Sequence, residues 1–323
     1  MNKGLKMFLI VLALVIFIGG YITIVYTYKT NKDNQIAKQK NEENITKQEE
    51  KIDNTPLYTS STFPKIDASL ATQPLTDAIY EDFVGESAEG KIDYSNTHPG
   101  YVKLINDEVD LIVVTQPSKE ELELAKEKNV ELEVIPVVKE GFVFYVNANN
   151  EVSNLTTEQI QKIYTGEITN WKEVGGKDEK IMALQRPVNS GSQTGMLSLV
   201  MKGQKLMEAP KENLISTMEA IINFVSSYTN GRNSIGYSYY YYATTMFKTI
   251  DETVASNIKL LGIDGVVPNN KTIKDGSYPF NTAYYIVINK ADDENSASRK
   301  LANYLLSARG QAVAEKAGYV PVK

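Results

Sequence analysis

Beyond residue 60, apolar and polar residues alternate with two different periods. Short runs rich in β-branched residues predict strands, and apolar residues spaced three or four apart predict helices between them. This alternation of strands and helices is typical of an α/β fold. The predicted strands are Asp110–Thr115, Leu132–Val138, Phe142–Asn147, Ile181–Gln185, Ile258–Gly262 and Ala283–Asn289. The predicted helices are Pro74–Val84, Tyr101–Asp107, Lys119–Lys128, one beginning at Thr156 or Thr157, Ser296–Ala308 and Gln311–Ala317.

The start of the chain has a different pattern. Met7–Tyr28 contains no charged residue and is long enough, at about 1.5 Å per residue, to cross the hydrocarbon core of a bilayer as a helix. A cleaved signal peptide is the alternative, because Lys3 and Lys6 supply a basic flank, but the stretch is long and no A-x-A site follows. We therefore expect residues 1–28 to be a membrane anchor, residues 29–60 a polar tether, and residues 61–323 the folded domain.

Composition excludes several kinds of chemistry. The chain has no cysteine and a single histidine, so it has no thiol nucleophile, no disulfide, no lipid attached through cysteine and no multi-histidine metal centre. Residues 1–60 hold eight lysines and six acidic residues, which leaves the remainder with a net charge of −8. That charge argues against nucleic-acid binding. The sequence has neither of the glycine-rich nucleotide motifs, and we expect no cofactor and no metal.

The segment from Gln185 to Gly195 carries the clearest chemical signal. A predicted strand leads through Arg186 into Ser190-Gly191-Ser192 and then into a helical pattern. A helix start offers free backbone N–H groups, the two serines add hydroxyl donors, and a guanidinium suits tetrahedral oxyanions. The segment therefore indicates an anion cradle. An ordinary serine-capped helix beside a surface arginine is the alternative.

Two further loops place hydroxyl groups before helices. Asp67–Pro74 contains Ser69 and Thr72, and Ser95–Gly100 contains Thr97 next to His98. Serine and threonine are common helix caps, so each loop alone is weak evidence. Three such loops at junctions that precede helices are a stronger indication of one shared ligand.

With these loops, the sequence resembles the type II solute-binding proteins of phosphate ABC importers. The matching segments are Asp67–Pro74, Asn96–Gly100, Val109–Pro117, Arg186–Ser192, Leu155–Trp171, Ser234–Tyr237 and the end of the chain at Gly310–Gln311 and Gly318–Pro321. Leu155–Trp171 is similar to the family pattern L-T-x-x-Q-x-x-x-I-[FY]-x-G-x-I-x-N-W, which is quite specific. The resemblance covers about Thr62 to Lys323.

The resemblance implies a two-lobed Venus-flytrap fold of the type II periplasmic-binding-protein class, behind one transmembrane helix. Lobe 1 would be about residues 61–140 and 245–323, and lobe 2 about 141–244. It also implies an extracytoplasmic domain, inorganic phosphate or a similar oxyanion as ligand, an ABC permease as partner, and no catalysis. The implied ligand-binding residues are Ser69, the Leu70 amide, Thr97, Arg186, Ser190, Gly191 and Ser192.

Two departures from the family pattern bear on the ligand. Leu70 stands where the family has a hydroxyl residue, and Thr115-Gln116 stands where it has an acidic residue that accepts the proton of hydrogen phosphate. Gln116 can accept or donate a hydrogen bond, which weakens rejection of sulfate, so the expectation is firmer for an oxyanion than for phosphate. His98 is a further candidate ligand, and a loop histidine without such a role is the alternative.

Two other functions remain open at this level. A membrane-tethered sensor or surface-interaction protein that keeps the binding fold is favoured by the anchor and by the departures at Leu70 and Gln116. An enzyme with Ser190 or Ser192 as nucleophile near His98 is less well supported, because no G-x-S-x-G motif accompanies them.

Overall fold

The computed structural model describes residues 55–227 and 231–322. Within these residues no helix combines the length and the apolar character needed to cross a bilayer. The predicted membrane segment Met7–Tyr28, and the predicted tether up to residue 54, lie outside the described residues. Thr55–Lys323 is assigned to one compact unit.

One long strand organises the described part of the chain. The strands are β1 (Ile66–Ala68), β2 (Leu111–Val114), β3 (Leu132–Asn147), β4 (Asn154–Leu155), β5 (Met182–Ala183), β6 (Ser234–Tyr239), β7 (Ile258–Leu260), β8 (Gly262–Ile263), β9 (Asn281–Asn289) and β10 (Val320–Pro321). The main sheet has the order β1-β2-β9-β3-β6-β5, with β10 and β7 also paired to β3. The pairs β1–β2 and β5–β6 are parallel, and the neighbours of β3 run antiparallel to it.

Strand β3 divides the sheet into two groups. Its first part, up to Gly141, pairs with β9 and β10, and its second part, from Phe142, pairs with β6 and β7. The prediction of two separate strands here was therefore wrong. Pro136 is accommodated at a register shift between Pro136 and Val138, and Gly141 continues the strand. A β-carbon at Gly141 would lie 2.9 Å from Ile273 Cδ1, so the small residue serves packing rather than a turn.

The helices largely follow the predicted pattern, with shifted ends. They are α1 (Gln73–Val84), α2 (Thr97–Ile105), α3 (Lys119–Glu127), α4 (Thr157–Thr165), α5 (Gly191–Gly195, continued by a π-helical segment Met196–Met201), α6 (Met218–Ser226), α7 (Phe247–Ile250), α8 (Glu252–Ser256), α9 (Asn270–Lys274), α10 (Ala297–Leu305) and α11 (Ala308–Lys316). Helix α3 begins with a capping box, because Ser118 accepts from the Glu121 amide and Glu121 accepts from the Ser118 amide.

Some predicted boundaries were wrong for local reasons. Helix α2 begins at Thr97 instead of Tyr101, and the strand predicted over Ile181–Gln185 keeps only Met182–Ala183. The last two helices divide at Ser307, whose hydroxyl accepts from the Gly310 amide and caps α11. The predicted strand Ile258–Gly262 is interrupted at Leu261, so β7 and β8 are separate.

The core is built from helix faces packed on the sheet. Leu75, Ile79 and Phe83 of α1 are buried on one face, as the helical spacing predicts. Aromatic side chains fill the centre, where Phe142 and Phe144 of β3 contact Tyr237 of β6. These interactions fix the sheet, and the segments that leave it for helices form the cavity described next.

Candidate functional site

The start of four helical segments and the end of β2 enclose one polar cavity of about 420 Å³. The four segments begin at Leu70, Thr97, Gly191 and Met218. The lining residues are Ser69, Leu70, Ala71, Ser95, Asn96, Thr97, His98, Pro99, Thr115, Arg186, Pro187, Val188, Asn189, Ser190, Gly191, Ser192, Ser216, Thr217, Met218, Glu219, Tyr239 and Tyr242. All but one of the predicted ligand-binding residues line it. Gln116 is the exception.

Arg186 is the cationic side chain of this cavity, and it is only 9% exposed. Its Nε donates to Ser192 Oγ over 3.2 Å and its Nη1 to the Ile215 carbonyl over 3.2 Å. Within residues 55–227 and 231–322 it forms no ion pair with a carboxylate. Burial lowers the pKa of the guanidinium from its ordinary value, although an arginine stays charged in proteins. The cavity therefore contains a buried positive charge whose second terminal nitrogen, Nη2, remains available to a ligand.

The backbone of Arg186 is held by two buried polar side chains. Its amide donates to Gln193 Oε1 over 3.1 Å and to the Tyr237 hydroxyl over 3.0 Å, and the Tyr237 hydroxyl itself donates to Gln193. Gln193 lies in α5, and Tyr237 lies in β6, the strand that pairs with the second part of β3. These two hydrogen bonds fix the backbone from which the Arg186 side chain extends.

The loop before α5 brings small residues close to the opposite side of the cavity. Ser190 caps the helix, accepting from the Gln193 amide over 3.2 Å. A β-carbon at Gly191 would lie 2.5 Å from Thr115 Oγ1 and 2.6 Å from Thr97 Oγ1, so only glycine fits at this approach. The Tyr239 hydroxyl donates to the Gly191 carbonyl over 2.9 Å. Two threonine hydroxyls and the start of α5 thus meet at one point.

A buried carboxylate joins the two loops on that opposite side. Asp67 accepts from the Ser95 amide over 2.9 Å and from the Ser95 hydroxyl, and it pairs with Lys103 over 2.6 Å. Asp67 leads into Ser69 and Ser95 leads into Thr97, so this carboxylate holds both hydroxyl loops in register. Ser69 is buried, and its hydroxyl lies 3.3 Å from Thr72 Oγ1.

Two predicted ligands have other partners. His98 lines the cavity, but its Nδ1 lies 3.0 Å from Glu121 Oε1, the same buried carboxylate that caps α3. Gln116 lies outside the cavity lining, and its side-chain amide donates to Ser198 of the helical segment after Gly195. The structure thus places Gln116 in a contact between the two sides of the cavity.

Thr115 was placed with Gln116 at the position of the family's acidic residue, but the ligand role was assigned to Gln116 alone. Thr115 lines the cavity, is 3% exposed, and its buried hydroxyl makes no hydrogen bond of good geometry within the described residues. Its carbonyl accepts from the Tyr101 hydroxyl over 2.9 Å, which fixes its backbone. The signal in the sequence was the position of Thr115 at the end of a predicted strand, one residue before Gln116.

Sequence analysis also overlooked the start of α6. Thr217 caps this helix by accepting from the Ala220 amide over 3.0 Å, and Ser216, Thr217, Met218 and Glu219 all line the cavity. The signal was present, because a hydroxyl precedes a helical pattern there as it does in the other three loops. Tyr242 is buried and also lines the cavity.

Comparison with known proteins agrees with this architecture. Residues 59–309 match the family model described as a PBP superfamily domain. The phosphate-binding protein PstS of Staphylococcus aureus strain bovine RF122 / ET3-1 is 29% identical over 265 residues, which cover 79% of this chain and 77% of the relative. The PstS of strain MRSA252 is 28% identical with the same coverage.

Solved structures share the fold at lower identity. A protein from Clostridium perfringens whose crystal structure contains bound phosphate has a TM-score of 0.62 and 23% identity, covering 80% of this chain and 99% of that one. An ABC-type phosphate transport receptor from Vibrio cholerae has a TM-score of 0.59 and 21% identity, covering 79% of this chain and 98% of that one. With the family model matching most of its length, the chain belongs to the PBP superfamily and has the α/β fold of that superfamily.

Proposed function

We propose that this protein captures inorganic phosphate, or a closely related tetrahedral oxyanion, outside the cytoplasm for an ABC importer. The observation that carries the proposal is the buried Arg186 guanidinium, which faces a cavity and has no carboxylate partner within the described residues. A buried charge costs several kcal/mol unless it is compensated. A bound anion would supply that compensation.

The surrounding groups would complete the anion's hydrogen bonds. Hydroxyls of Thr97, Thr115 and Ser192 line the same cavity, and the Ser192 proton is free to point away from the Arg186 Nε that it accepts from. Helix α2 begins at the cavity, and free backbone N–H groups at a helix start favour negative charge. The ligand roles of Ser69, Leu70, Ser190, Gly191 and His98 remain part of this proposal.

Capture by closure of two lobes is the corresponding mechanism. The two strand groups joined at β3 correspond to two lobes, proposed from sequence as about residues 61–140 with 245–323, and 141–244. Strands β7 and β8 belong with the second lobe, because they pair with the second part of β3 and with β4. Gly191 of one side approaches Thr97 and Thr115 of the other, so an anion in the cavity would contact both sides at once. Enclosure removes competing water and strengthens each charge-assisted hydrogen bond.

The relatives support the physiological setting of the proposal. Those described above are named as phosphate-binding or phosphate-transport proteins. We therefore propose an ABC permease as the partner and no enzymatic activity. Anchoring through Met7–Tyr28 rests on the sequence pattern alone.

Isothermal titration calorimetry tests the proposal on the full-length chain in detergent, after removal of bound anions. We expect wild-type protein to bind phosphate tightly, and Arg186→Ala to weaken binding about 100-fold or more, since a hydrogen bond to a charged group contributes about 1.5–3 kcal/mol and Arg186 can make more than one. Arg232→Ala is the matched control, because Arg232 is 40% exposed and pairs with Glu179. Absence of heat with phosphate, sulfate, arsenate and molybdate would refute it.

A further inference from the structure

The cavity is larger than a single oxyanion requires. Its volume is about 420 Å³. A phosphate has five heavy atoms, which fill roughly 150 Å³ if each takes about 30 Å³, the share of one water molecule in the liquid. Cavities of several hundred Å³ are typical of sites for organic ligands. The residues that line the remaining space therefore decide what else the ligand can carry.

The start of α6 and Tyr242 line the cavity together with Arg186. Tyr242 is 5% exposed, lines the cavity, and its hydroxyl makes no hydrogen bond within the described residues. Burial, and less strongly the charge of Glu219, raise the pKa of this hydroxyl to about 12, and the charge of Arg186 opposes that rise. Tyr242, Arg186 and Glu219 line the same cavity, so a ligand that fills it can meet the Tyr242 hydroxyl and both charged side chains.

Glu219 is the carboxylate of the cavity lining. It is exposed at the first turn of α6 and forms no hydrogen bond or ion pair within residues 55–227 and 231–322. A carboxylate in an anion site repels a simple anion, but it attracts a ligand that carries a positive charge at the right distance from its oxyanion. Met218, which is half-buried, provides an apolar surface between the polar groups.

We propose that Tyr242, Met218 and Glu219 form a second subsite for the ammonium-bearing substituent of a phosphate monoester or phosphonate whose oxyanion lies against Arg186. The subsite rests on the proposed function for its anion end and adds the class of substituent. A short aminoalkyl group extends from the oxyanion past the Tyr242 hydroxyl toward the Glu219 carboxylate. Inorganic phosphate occupies only the Arg186 end.

Calorimetry on the full-length chain tests the subsite with three probes: inorganic phosphate, ethyl phosphate and phosphoethanolamine. The two esters differ only by an ammonium group, so the ratio of their dissociation constants isolates the second subsite. We expect phosphoethanolamine to bind about 10-fold more tightly than ethyl phosphate to wild-type protein, and Glu219→Gln to reduce this ratio to about 1. Glu212→Gln is the matched control, because Glu212 is exposed and lies outside the cavity.

Each outcome separates the two proposals. Equal affinity for the two esters in wild-type protein, or a ratio that Glu219→Gln leaves unchanged, overturns the subsite while phosphate binding upholds the proposed function. Binding of phosphoethanolamine without binding of inorganic phosphate upholds the subsite and overturns phosphate as the ligand. Because a first-turn glutamate also stabilises a helix, thermal unfolding of the variant is recorded alongside, and the ratio is insensitive to that effect.

Discussion

Two buried arginines of this domain have opposite surroundings. Arg309 is 7% exposed, and its Nε pairs with Asp82 over 2.7 Å while its Nη2 donates to the Asp82 carbonyl over 2.8 Å. Its guanidinium also lies 5.6 Å from the centre of the Phe83 ring. Arg186 is buried to a similar degree, yet within residues 55–227 and 231–322 its guanidinium hydrogen-bonds only to a hydroxyl and a carbonyl, and it faces a cavity. Burial alone does not indicate function. The two sites differ because, within the described residues, Arg309 has a carboxylate partner and Arg186 has none.

The largest loss of stability is expected at Arg309, whose guanidinium has a carboxylate partner. Arg309→Ala leaves Asp82 without its partner between α1 and α11. We expect a loss of about 3 kcal/mol, the lower end of the cost of breaking a buried pair, because the Asp82 side chain is 29% exposed. Urea unfolding of the full-length chain measures this loss. The phosphate dissociation constant of the folded fraction should stay within about twofold of wild type, as expected of sites that do not share partners. A large loss of affinity without a loss of stability would reverse the roles assigned to the two arginines.

The next effect concerns the close approach at Gly191. The β-carbon of Gly191→Ala would lie within 2.6 Å of the Thr97 and Thr115 hydroxyls, so it separates the two sides of the cavity. We expect phosphate affinity to fall about 10- to 100-fold, the equivalent of one charge-assisted hydrogen bond of about 1.5–3 kcal/mol. Gly100→Ala is the control, because its β-carbon would make ordinary contacts at 3.7 Å and 3.8 Å. Unchanged affinity in Gly191→Ala would show that the anion does not require this approach.

Glu140 is a buried acid in strand β3 and, like Arg186, has no oppositely charged partner within the described residues. Its carboxylate accepts from the amides of Gly141 and Tyr241, and burial raises its pKa to about 8 although these N–H groups lower it. The surrounding ionisable groups are Tyr239, Tyr240, Tyr241, Tyr284 and Tyr319, whose pKa values are all raised, so they stay neutral below pH 10.

The sign of the resulting pH dependence follows from proton binding. Between the unfolded value of 4.5 and the folded value of about 8, the native state holds a proton that the unfolded state has released. The contribution of Glu140 to stability is therefore present below pH 4.5 and is lost as the pH rises to 8, by up to about 1.4 kcal/mol per unit. Urea unfolding from pH 5 to 8 should show this decline in wild-type protein relative to Glu140→Gln. Parallel curves for the two proteins would contradict it.

The smallest effect is expected at Thr115, to which the sequence assigned no ligand role. Thr115→Val removes a buried hydroxyl that has no good protein partner, so folding stability should change by less than about 1 kcal/mol. Phosphate affinity should fall about 10-fold, because one hydrogen bond of about 1.5 kcal/mol to the charged anion is lost. Calorimetry measures the phosphate affinity of Thr115→Val and of Gln116→Leu. Gln116 provides the comparison, since it pairs with Ser198 outside the cavity. A larger loss in Gln116→Leu would favour the original assignment of that residue.

Sequence reasoning located most of the cavity because helix starts carry local signals. Arg186, Ser190 and Ser192 lie together in eleven consecutive residues that form a strand-to-helix junction, and the other hydroxyl loops have the same form. It failed between Thr115 and Gln116, because consecutive side chains of an extended chain point to opposite sides and the exact end of β2 decides which one faces the cavity. It also divided β3 between Val138 and Phe142, since pairing with β9 depends on residues 140 or more positions away.

Arg186→Met tests the central claim most directly, through thermal and urea unfolding with and without phosphate. Replacing a buried charge that lacks a partner by an apolar side chain of similar length should leave the anion-free protein as stable as wild type or more stable. Phosphate at about 100 times its dissociation constant should stabilise wild-type protein by about 2.7 kcal/mol and leave Arg186→Met unaffected. A variant that is destabilised without phosphate, or that phosphate stabilises as much as wild type, would contradict the assignment of Arg186 as the anion-binding residue.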